Sequence, residues 1–421
     1  MRLYVTGLLF SVLLCTGQLF AQQTRAALFL GNSYTYVNDL PKMIADVALT
    51  TGDTLIYDSN TPGGYTLQQH STNATTLAMI STGAWDFVVL QEQSQLPSFP
   101  IEQVEVEVFP YAALLDSLIS QANPCTETVF YMTWGRKNGD AMNCPFWPPV
   151  CTYTGMDDLL RERYEIMAAD NQALVSPAGA VWRYIRETDP TIELYSADES
   201  HPSVAGTFAT ACAFYSVMFR KDPVLTSYDA GLDPVLASTI RAAASAVVFD
   251  SLDHWHVGEY DPVAAFSVWP GPEGHIETEN LSEQADTWQW SMGDGTVYTD
   301  AEPAHTYAES GSYMVQLIAS RGDCPGDTSE QTILVTVSEP NVVTNMIPGL
   351  SWVLSGNVLT LTTSTEAIRY RMLDSSGKVL TSGTIPAAGH LNLPLDEFAA
   401  GFCLLQLRSG RGQQIIPVPV H

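Results

Sequence analysis

Residues 26–35, AALFLGNSYT, pass from an apolar run directly into a Gly-Asn-Ser turn and then into a helical pattern. A short apolar run that ends in a turn is typical of a strand buried on both faces of a parallel sheet. Ser33 is therefore predicted just beyond the carboxyl end of the first strand, where open α/β sheets bind their ligands. Taken alone, Ser33 is equally well explained as a helix N-cap.

Strand-like and helix-like segments alternate from this stretch to about residue 255. The predicted strands are 26–31, about 54–58, 86–91, 128–135, 173–177 and 192–196. The segments with helical spacing of apolar residues are 40–50, 109–121, 157–171 and 203–220. This alternation predicts an α/β three-layer sandwich with a flavodoxin-like parallel sheet over residues 22–258.

The composition changes beyond His256. Short alternating strands separated by Gly and Pro turns follow, such as TWQWSM at 287–292. DSSGK at 374–378 has the residues of a hairpin turn. We expect two small all-β, immunoglobulin-like domains, at 259–339 and 346–421.

The first residues predict export. One Arg, a short apolar run and small or polar residues near Ala21 are typical of a signal peptide, here 1–21. No later stretch is long and apolar enough to predict a membrane span in the mature chain. The expected location is therefore secreted or at the cell surface.

The net charge of −28, from 18 Lys plus Arg against 46 Asp plus Glu, disfavours nucleic acid as a partner. Cys144 and Cys151 share a Pro-rich loop, and in an exported chain we expect them to form a disulfide. The sequence has no CxxC or HExxH motif, so neither a metal nor a cofactor is predicted. The HWH stretch at 254–256 is interpreted as surface or linker packing.

DESH at 198–201 supplies the partners that a serine nucleophile needs. Three residues of spacing let one loop direct Asp198 and His201 at the same point. The carboxylate would orient the imidazole, and the imidazole would take the proton of Ser33. The alternative is two solvated loop residues.

Two further segments lie where oxyanion donors are needed. Gly63 and Gly64, in TPGGYT, follow the second predicted strand, and Gln91 and Gln93, in LQEQS, follow the third. A backbone N–H or a side-chain amide at these places can stabilise an oxyanion. Strand alternation directs both glutamines to the same face, so the choice between them stays open.

The order of Ser, Gly, amide and DxxH resembles the SGNH (GDSL-like) hydrolases over roughly residues 26–220. The resemblance implies a serine esterase with Ser33, His201 and Asp198 as its triad. The oxyanion hole would comprise the Ser33 N–H, Gly63 or Gly64, and one amide. The third block departs from the family pattern: QEQS stands where GxND is expected, which is similar to variants in carbohydrate acetylesterases.

The segment 133–155, which begins at the end of the fourth predicted strand and continues as a long loop, is rich in aromatic residues. Such side chains suit sugar rings, and equally they pack a loop on itself. The candidates for substrate binding are Trp134, Phe146, Trp147 and Tyr153.

The C-terminal half resembles two further families. Residues from about 261 to 339 resemble a polycystic-kidney-disease-type (PKD) domain, on the pattern WSMGDG (290–295) and HTY (305–307), with Met292 where Phe is usual. The segment from about Met346 resembles a type IX secretion C-terminal sorting domain, notably in YRMLDSSGKVLTSG (370–383). That resemblance implies export machinery as a partner.

These patterns together predict a secreted esterase acting on acyl groups, acetyl above all, of carbohydrates. The expected partner is an acylated glycan or another small ester. Two alternatives stay open: a lipase or thioesterase of the same fold, and an inactive surface glycan-binding protein.

Overall fold

The computed structural model describes residues 21–337, 347–363, 366–374, 377–398, 401–410 and 413–420. The predicted signal peptide, apart from residue 21, lies outside the described residues. The chain divides into two compact units, 1–261 and 262–421.

The first unit is built on a five-stranded parallel sheet of order β2-β1-β3-β4-β5. Its strands are β1 Thr24–Leu30, β2 Thr54–Asn60, β3 Phe87–Leu90, β4 Glu127–Tyr131 and β5 Leu174–Ser176. β1 pairs with β2 on one side and with β3 on the other, in register from Ala27 opposite Phe87 to Leu30 opposite Leu90. Strand order reverses between β1 and β3, which is the place where doubly wound sheets bind ligands.

Helices cover both faces of this sheet. They are α1 Ser33–Tyr36, α2 Leu40–Leu49, α3 Leu67–Thr72, α4 Ala74–Ile80, α5 Ile101–Glu107, α6 Phe109–Ala122, α7 Tyr153–Asp170, α8 Ala178–Thr188, α9 Val204–Phe219 and α10 Pro234–Val247. Short 3-10 turns lie at Leu96–Ser98, Pro148–Cys151, Pro223–Leu225 and Phe249–Trp255. α2, α9 and α10 pack together, while α6 contacts α3, α4, α5 and α7. The predicted three-layer α/β class is confirmed.

One predicted strand is wrong. Residues 192–196 do not join the sheet; Tyr195 makes only an isolated bridge to Pro202. The Ser203 N–H donates to the Leu194 carbonyl, and the Ser196 N–H donates to the His201 carbonyl. The segment therefore pairs locally with the loop that carries His201.

The second unit is all β, as predicted. Its first part holds β6 Phe266–Pro270, β7 His275–Asn280, β8 Thr287–Ser291, β9 Val297–Tyr298, β10 His305–Thr306, β11 Gly311–Ser320 and β12 Asp327–Val335, in sheets of order β10-β7-β6 and β12-β11-β8-β9. A 3-10 turn at Pro272–Gly274 joins β6 to β7. A separate hydrophobic cluster lies between these two sheets, with Trp290 fully buried.

The second part of this unit has its own hydrophobic cluster. Its strands are β13 Leu350–Ser355, β14 Val358–Thr363, β15 Ile368–Leu373, β16 Val379–Ile385, β17 His390–Pro394, β18 Gly401–Arg408 and β19 Gln413–Val420, in sheets β13-β14-β17 and β16-β15-β18-β19. β15 and β16, the strands on either side of the hairpin turn predicted at 374–378, pair antiparallel. Residues 375 and 376 of that turn lie outside the described residues.

Cys144 and Cys151 form the predicted disulfide, with Cα atoms 4.6 Å apart. Cys212 and Cys403 are free and buried. No single helix within the described ranges is long and apolar enough to cross a membrane. The bent helix pair Pro234–Val247 and Phe249–Trp255 is long and apolar enough only when the two segments are taken together.

Candidate active site

Ser33 is the first residue of α1, directly after the turn that leaves β1. Asn32 is the N-cap, and its side-chain oxygen accepts from the Tyr34 N–H at 3.3 Å. The Ser33 N–H lies in the first turn of the helix, where no intrahelical carbonyl is available to accept it. Both the hydroxyl and the N–H of Ser33 are therefore placed at the carboxyl edge of the sheet.

The Asp198–His201 loop folds back on itself around one carboxylate. Asp198 Oδ1 accepts the backbone N–H groups of Ser200 and His201, at 3.1 and 3.0 Å. Asp198 Oδ2 accepts from His201 Nδ1 at 2.5 Å. One oxygen thus shapes the turn and the other orients the ring, which explains the three-residue spacing.

These contacts also set the charge of the pair. Burial raises the pKa of Asp198, but the hydrogen bonds from the His201 ring and from the two backbone N–H groups outweigh it, so the pKa lies below its usual value. An ionised carboxylate only accepts hydrogen bonds, so the His201 proton lies on Nδ1. Nε2 is then free to accept, and it lies 2.8 Å from Ser33 Oγ.

Contacts between the two loops hold this geometry. The hydroxyls of Tyr34 and Ser200 are 2.7 Å apart. Asn38 Nδ2 donates to the Pro202 carbonyl at 3.2 Å and to Thr207 Oγ1 at 2.9 Å. The segment that follows the serine is therefore bonded to the residues on both sides of the histidine.

Gln91 does not have the predicted role of oxyanion donor. Its side chain is fully buried, and Nε2 donates to Asn32 Oδ1 at 2.9 Å and to the Glu92 carbonyl at 2.5 Å. Gln91 Oε1 accepts from the Asn32 N–H and from Thr35 Oγ1, both at 2.9 Å. With both amide hydrogens used inside the protein, Gln91 holds the serine turn and has no hydrogen to offer a substrate.

Gln93, the other predicted amide, lies between two residues that contact the serine loop. The Glu92 carbonyl accepts from Asn32 Nδ2 at 3.3 Å. Burial raises the pKa of the Tyr34 phenol, and the Ser94 side chain lies near that phenol and offsets part of the rise. The two neighbours of Gln93 thus contact the two neighbours of the serine. Gln93 itself is half-buried.

The orientation of the Gln93 amide follows from its contacts. Gln93 Oε1 accepts the backbone N–H groups of Gln95 and Leu96, at 2.8 and 3.2 Å. Gln93 Nε2 donates to Gln95 Oε1 at 3.2 Å. Nε2 carries two hydrogens, and among the described residues the second has no acceptor.

Glu92 joins three segments of the site although no motif predicted it. Its fully buried carboxyl group accepts from the Leu67 N–H, at the start of α3, and from the Gln93 N–H at 2.5 Å. Burial raises the pKa of Glu92 to about 8, and these two N–H groups offset part of the rise.

Gly63 and Gly64 form the turn before α3, and both are exposed. The carbonyl of Tyr65, at the end of this turn, accepts from Asn32 Nδ2 at 2.9 Å, which holds the turn against the serine loop. Gly64 has φ +70°, a conformation that favours glycine, whereas Gly63 does not. A Cβ on Gly63 would meet only the Tyr36 hydroxyl, at 3.8 Å.

His70 on α3 is a second residue that sequence reasoning missed. Its Nε2 lies 2.9 Å from the Gly31 carbonyl and its Nδ1 lies 2.9 Å from Thr76 Oγ1. Burial lowers the pKa of His70, and the bond to Gly31 counteracts part of that. Because a carbonyl only accepts, His70 donates from Nε2 and supports the turn that precedes Ser33.

Two of the four aromatic residues predicted to bind substrate, Trp134 and Tyr153, do not fit that role. Trp134 is fully buried, stacks on Trp182 with centroids 3.6 Å apart, and donates to the Ser200 carbonyl at 3.1 Å. Tyr153 lies under the Arg186 guanidinium, 3.9 Å away. Both side chains pack the protein against itself, so neither is free to stack on a sugar.

Phe146 and Trp147 remain at the surface of the disulfide loop. Phe146 is 86% exposed. Trp147 is half-buried, and its Nε1 donates to the Ser98 carbonyl at 3.0 Å. The loop is thereby attached to the segment that follows Gln93.

No group of three or more metal-ligating side chains occurs in the described part of the chain. In the HWH stretch, His254 Nε2 contacts the Arg161 guanidinium at 3.0 Å, and His256 pairs with Glu259.

Comparison with known proteins finds a PKD domain at residues 276–337. Collagenase ColA of Bacillus cereus is 33% identical over 79 residues, which are 16% of this chain and 8% of the collagenase. The chain thus spans less than a tenth of the length of that relative.

Among solved structures, similarity is found to a DUF4886 family protein from Bacteroides uniformis, with a TM-score of 0.48 and 15% identity, over 55% of this chain and 95% of the other. A protein from Slackia heliotrinireducens, itself proposed to be an SGNH hydrolase, has a TM-score of 0.40 and 28% identity, over 46% and 99% of the two chains. The class of the first unit, a flavodoxin-like α/β sandwich, follows from its own sheet order.

Proposed function

We propose that this chain is a secreted serine esterase that removes acyl groups, acetyl above all, from carbohydrates. The observation that carries the proposal is the continuous contact from Asp198 through His201 to Ser33, at 2.5 and 2.8 Å. An oriented imidazole beside a serine hydroxyl is the arrangement that activates a nucleophile.

The reaction follows from these contacts. Ser33 Oγ attacks the ester carbonyl while His201 Nε2 takes its proton. The tetrahedral intermediate collapses, the alcohol leaves with that proton, and the acyl group stays on Ser33. Water then attacks the acyl-enzyme with His201 again as base, which releases the acid and restores the serine. Asp198 holds the ring in the required tautomer throughout.

The oxyanion hole is assigned to the N–H groups of Ser33 and Gly63 and to the Gln93 amide. Within the described part of the chain, one amide hydrogen of Gln93 has no acceptor, whereas both amide hydrogens of Gln91 are bonded. Gly64 is a glycine because its turn needs one. The φ of Gly63 lies outside the left-handed region and a Cβ would have open space around it, so the fold does not require glycine there. Close approach of a substrate to its N–H explains the choice.

The carbohydrate substrate is supported by the exposure of the triad, by an exposed aromatic ring on the disulfide loop and by the third block of the sequence. The His201 and Asp198 side chains are 34% and 50% exposed, which leaves room for a bulky alcohol. The exposed ring of Phe146 suits a sugar face. The sequence has QEQS where SGNH hydrolases have GxND, which is similar to variants in carbohydrate acetylesterases and also supports a carbohydrate substrate.

Secretion and export through the C-terminal β region form part of the same proposal. The disulfide between Cys144 and Cys151 fits an oxidising compartment. The PKD domain is typical of extracellular proteins.

The test is p-nitrophenyl acetate hydrolysis by the wild-type protein, Ser33→Ala and His201→Ala. We expect both variants to lose about 10³-fold or more in kcat. Equal rates for wild type and Ser33→Ala would refute the esterase and favour a glycan-binding protein.

A second comparison tests the substrate class. Acetate release from acetylated polysaccharides is measured beside hydrolysis of long-chain p-nitrophenyl esters. We expect the polysaccharide to be the better substrate in kcat/KM. The reverse order would favour a lipase or thioesterase.

A further inference from the structure

A buried carboxylate outside the triad, Asp140, lies in the disulfide loop. Its side chain is 0% exposed. Oδ2 accepts from Gln95 Nε2 and from Asn143 Nδ2, both at 2.6 Å, and Oδ1 faces Arg136 Nη1 at 3.4 Å. Burial raises the pKa of Asp140, but these donors outweigh it and bring the pKa below its usual value. The group is therefore an ionised, acceptor-only carboxylate.

The position of Asp140 is set by the loop around it. Its N–H donates to the Val150 carbonyl at 2.7 Å, and its carbonyl accepts from the Cys144 N–H at 2.8 Å. The disulfide from Cys144 to Cys151 closes the same loop. The backbone of Asp140 is thus held in place by two hydrogen bonds within a loop that a disulfide closes.

An acceptor-only group determines which way a neighbouring amide faces. Because Asp140 accepts from Gln95, the nitrogen of Gln95 faces Asp140, and its oxygen faces the other way. That oxygen accepts from Gln93 Nε2 at 3.2 Å. The orientation of the Gln95 amide therefore agrees with, and supports, the orientation of the Gln93 amide.

We propose that Asp140 is a positioning residue that fixes the Gln93 amide through Gln95, so that the spare Gln93 N–H faces the substrate oxyanion. The inference rests on the proposed esterase function. It also gives the disulfide loop a role in the chemistry, because the loop holds the first member of this relay.

Asp140→Asn tests the relay at constant size. The introduced side-chain amide can present an NH₂ group to Gln95, which turns the Gln95 amide and removes the acceptor of Gln93 Nε2. Gln93 Oε1 keeps its two backbone N–H donors, but the amide can then turn about that oxygen and the direction of its nitrogen is no longer fixed. We expect kcat for p-nitrophenyl acetate to fall by about 10-fold or more, up to the ~10²–10³ that loss of one oxyanion donor costs. KM should stay within about twofold, because the donor acts mainly in the transition state.

The decisive measurement is a double-mutant cycle with Gln93→Ala. If Asp140 acts through Gln93, Asp140→Asn causes no further loss of kcat in the Gln93→Ala background. A general loss of structure would instead reduce kcat by the same factor in both backgrounds, and that result would overturn the inference. Wild-type kcat for Asp140→Asn would overturn it as well.

Two further variants separate positioning from folding. Gln95→Met breaks the relay while Asp140 keeps its bonds to Asn143 and Arg136, and it should reproduce the loss of kcat. Asp53→Asn is the matched control, because Asp53 is a fully buried carboxylate at the opposite end of the sheet. It should lower the unfolding midpoint and leave kcat per folded enzyme unchanged.

Ser33→Ala provides the reference for all these rates. Wild-type activity in Ser33→Ala would overturn the esterase and the relay together. An inactive Ser33→Ala with independent effects of Asp140→Asn and Gln93→Ala would overturn the relay alone.

Discussion

Replacing Asp198 by Asn separates its two roles. In the wild type, Oδ1 accepts the backbone N–H groups of Ser200 and His201, and Oδ2 accepts from the His201 ring. Asn keeps an oxygen for the two backbone bonds but places an NH₂ group against Nδ1. His201 must then accept at Nδ1 and carry its proton on Nε2, where it can no longer take the proton of Ser33.

The expected loss follows from this change of tautomer. A wrongly protonated imidazole costs a serine triad about 10⁴ in kcat. The turn, by contrast, should lose less than about 1 kcal/mol, because Asn forms the same side-chain to backbone bonds as Asp. Asp198→Ala removes the acceptor of both backbone bonds, so we expect it to lower the free energy of unfolding by about 1–2 kcal/mol in addition.

The assay is pre-steady-state release of p-nitrophenol, with thermal unfolding of the same samples. Asp198→Asn should show a wild-type unfolding midpoint and almost no acylation burst. A burst of wild-type rate in Asp198→Asn would refute the assigned role of the carboxylate. A large drop in its unfolding midpoint would refute the argument that the turn survives.

Three further outcomes are expected. Gly63→Ala should keep the wild-type unfolding midpoint and lower kcat, whereas Gly64→Ala, at φ +70°, should lose about 1–2 kcal/mol of stability. If the two variants had the same effects on kcat and on the midpoint, the assignment of Gly63 to the oxyanion hole would be contradicted. Gln91→Leu leaves the buried Asn32 N–H without its acceptor, so midpoint and kcat should both fall, by about 1–3 kcal/mol in stability; an unchanged midpoint would contradict this. Burial raises the pKa of Glu92 from 4.5 to about 8, so its contribution to stability is fully present below pH ~4.5 and is lost as the pH rises through about 8, by at most about 5 kcal/mol. Between pH 5 and 9 the unfolding midpoint should therefore fall less steeply in Glu92→Gln than in the wild type. Parallel profiles would refute the buried, protonated state of Glu92.

Much of the fold was readable from periodicity. The apolar runs at 26–31, 86–91 and 128–135 became β1, β3 and β4 because strands buried on both faces consist almost wholly of apolar residues. The segment 192–196 has the same appearance, yet its backbone is satisfied by the loop after His201. Periodicity reports burial and extension, and does not report which strand supplies the hydrogen bonds.

The site was readable only in part. Ser33 was predicted from the local turn that follows the first strand, and Asp198 and His201 were predicted from the three-residue spacing of one loop. His70, Gln95 and Asp140 lie 37, 62 and 107 positions beyond Ser33, and their partners are set by the packing of separate loops. No local pattern carries that information.

The aromatic loop shows the same limit. The sequence does not distinguish Trp134 from Phe146, since both are aromatic residues of the same segment. In the structure Trp134 is fully buried and Phe146 is 86% exposed. Trp134 lies shortly after β4, which ends at Tyr131, and stacks on Trp182 from α8, a helix that was not predicted. Without that helix the burial of Trp134 could not be foreseen.

The most direct test of the central claim is covalent labelling with a fluorophosphonate, which phosphonylates an activated serine. Peptide mapping by mass spectrometry then locates the adduct. We predict one adduct per chain, on Ser33, that is lost in His201→Ala. An adduct on another serine, or no adduct in a folded wild-type protein, would contradict the account.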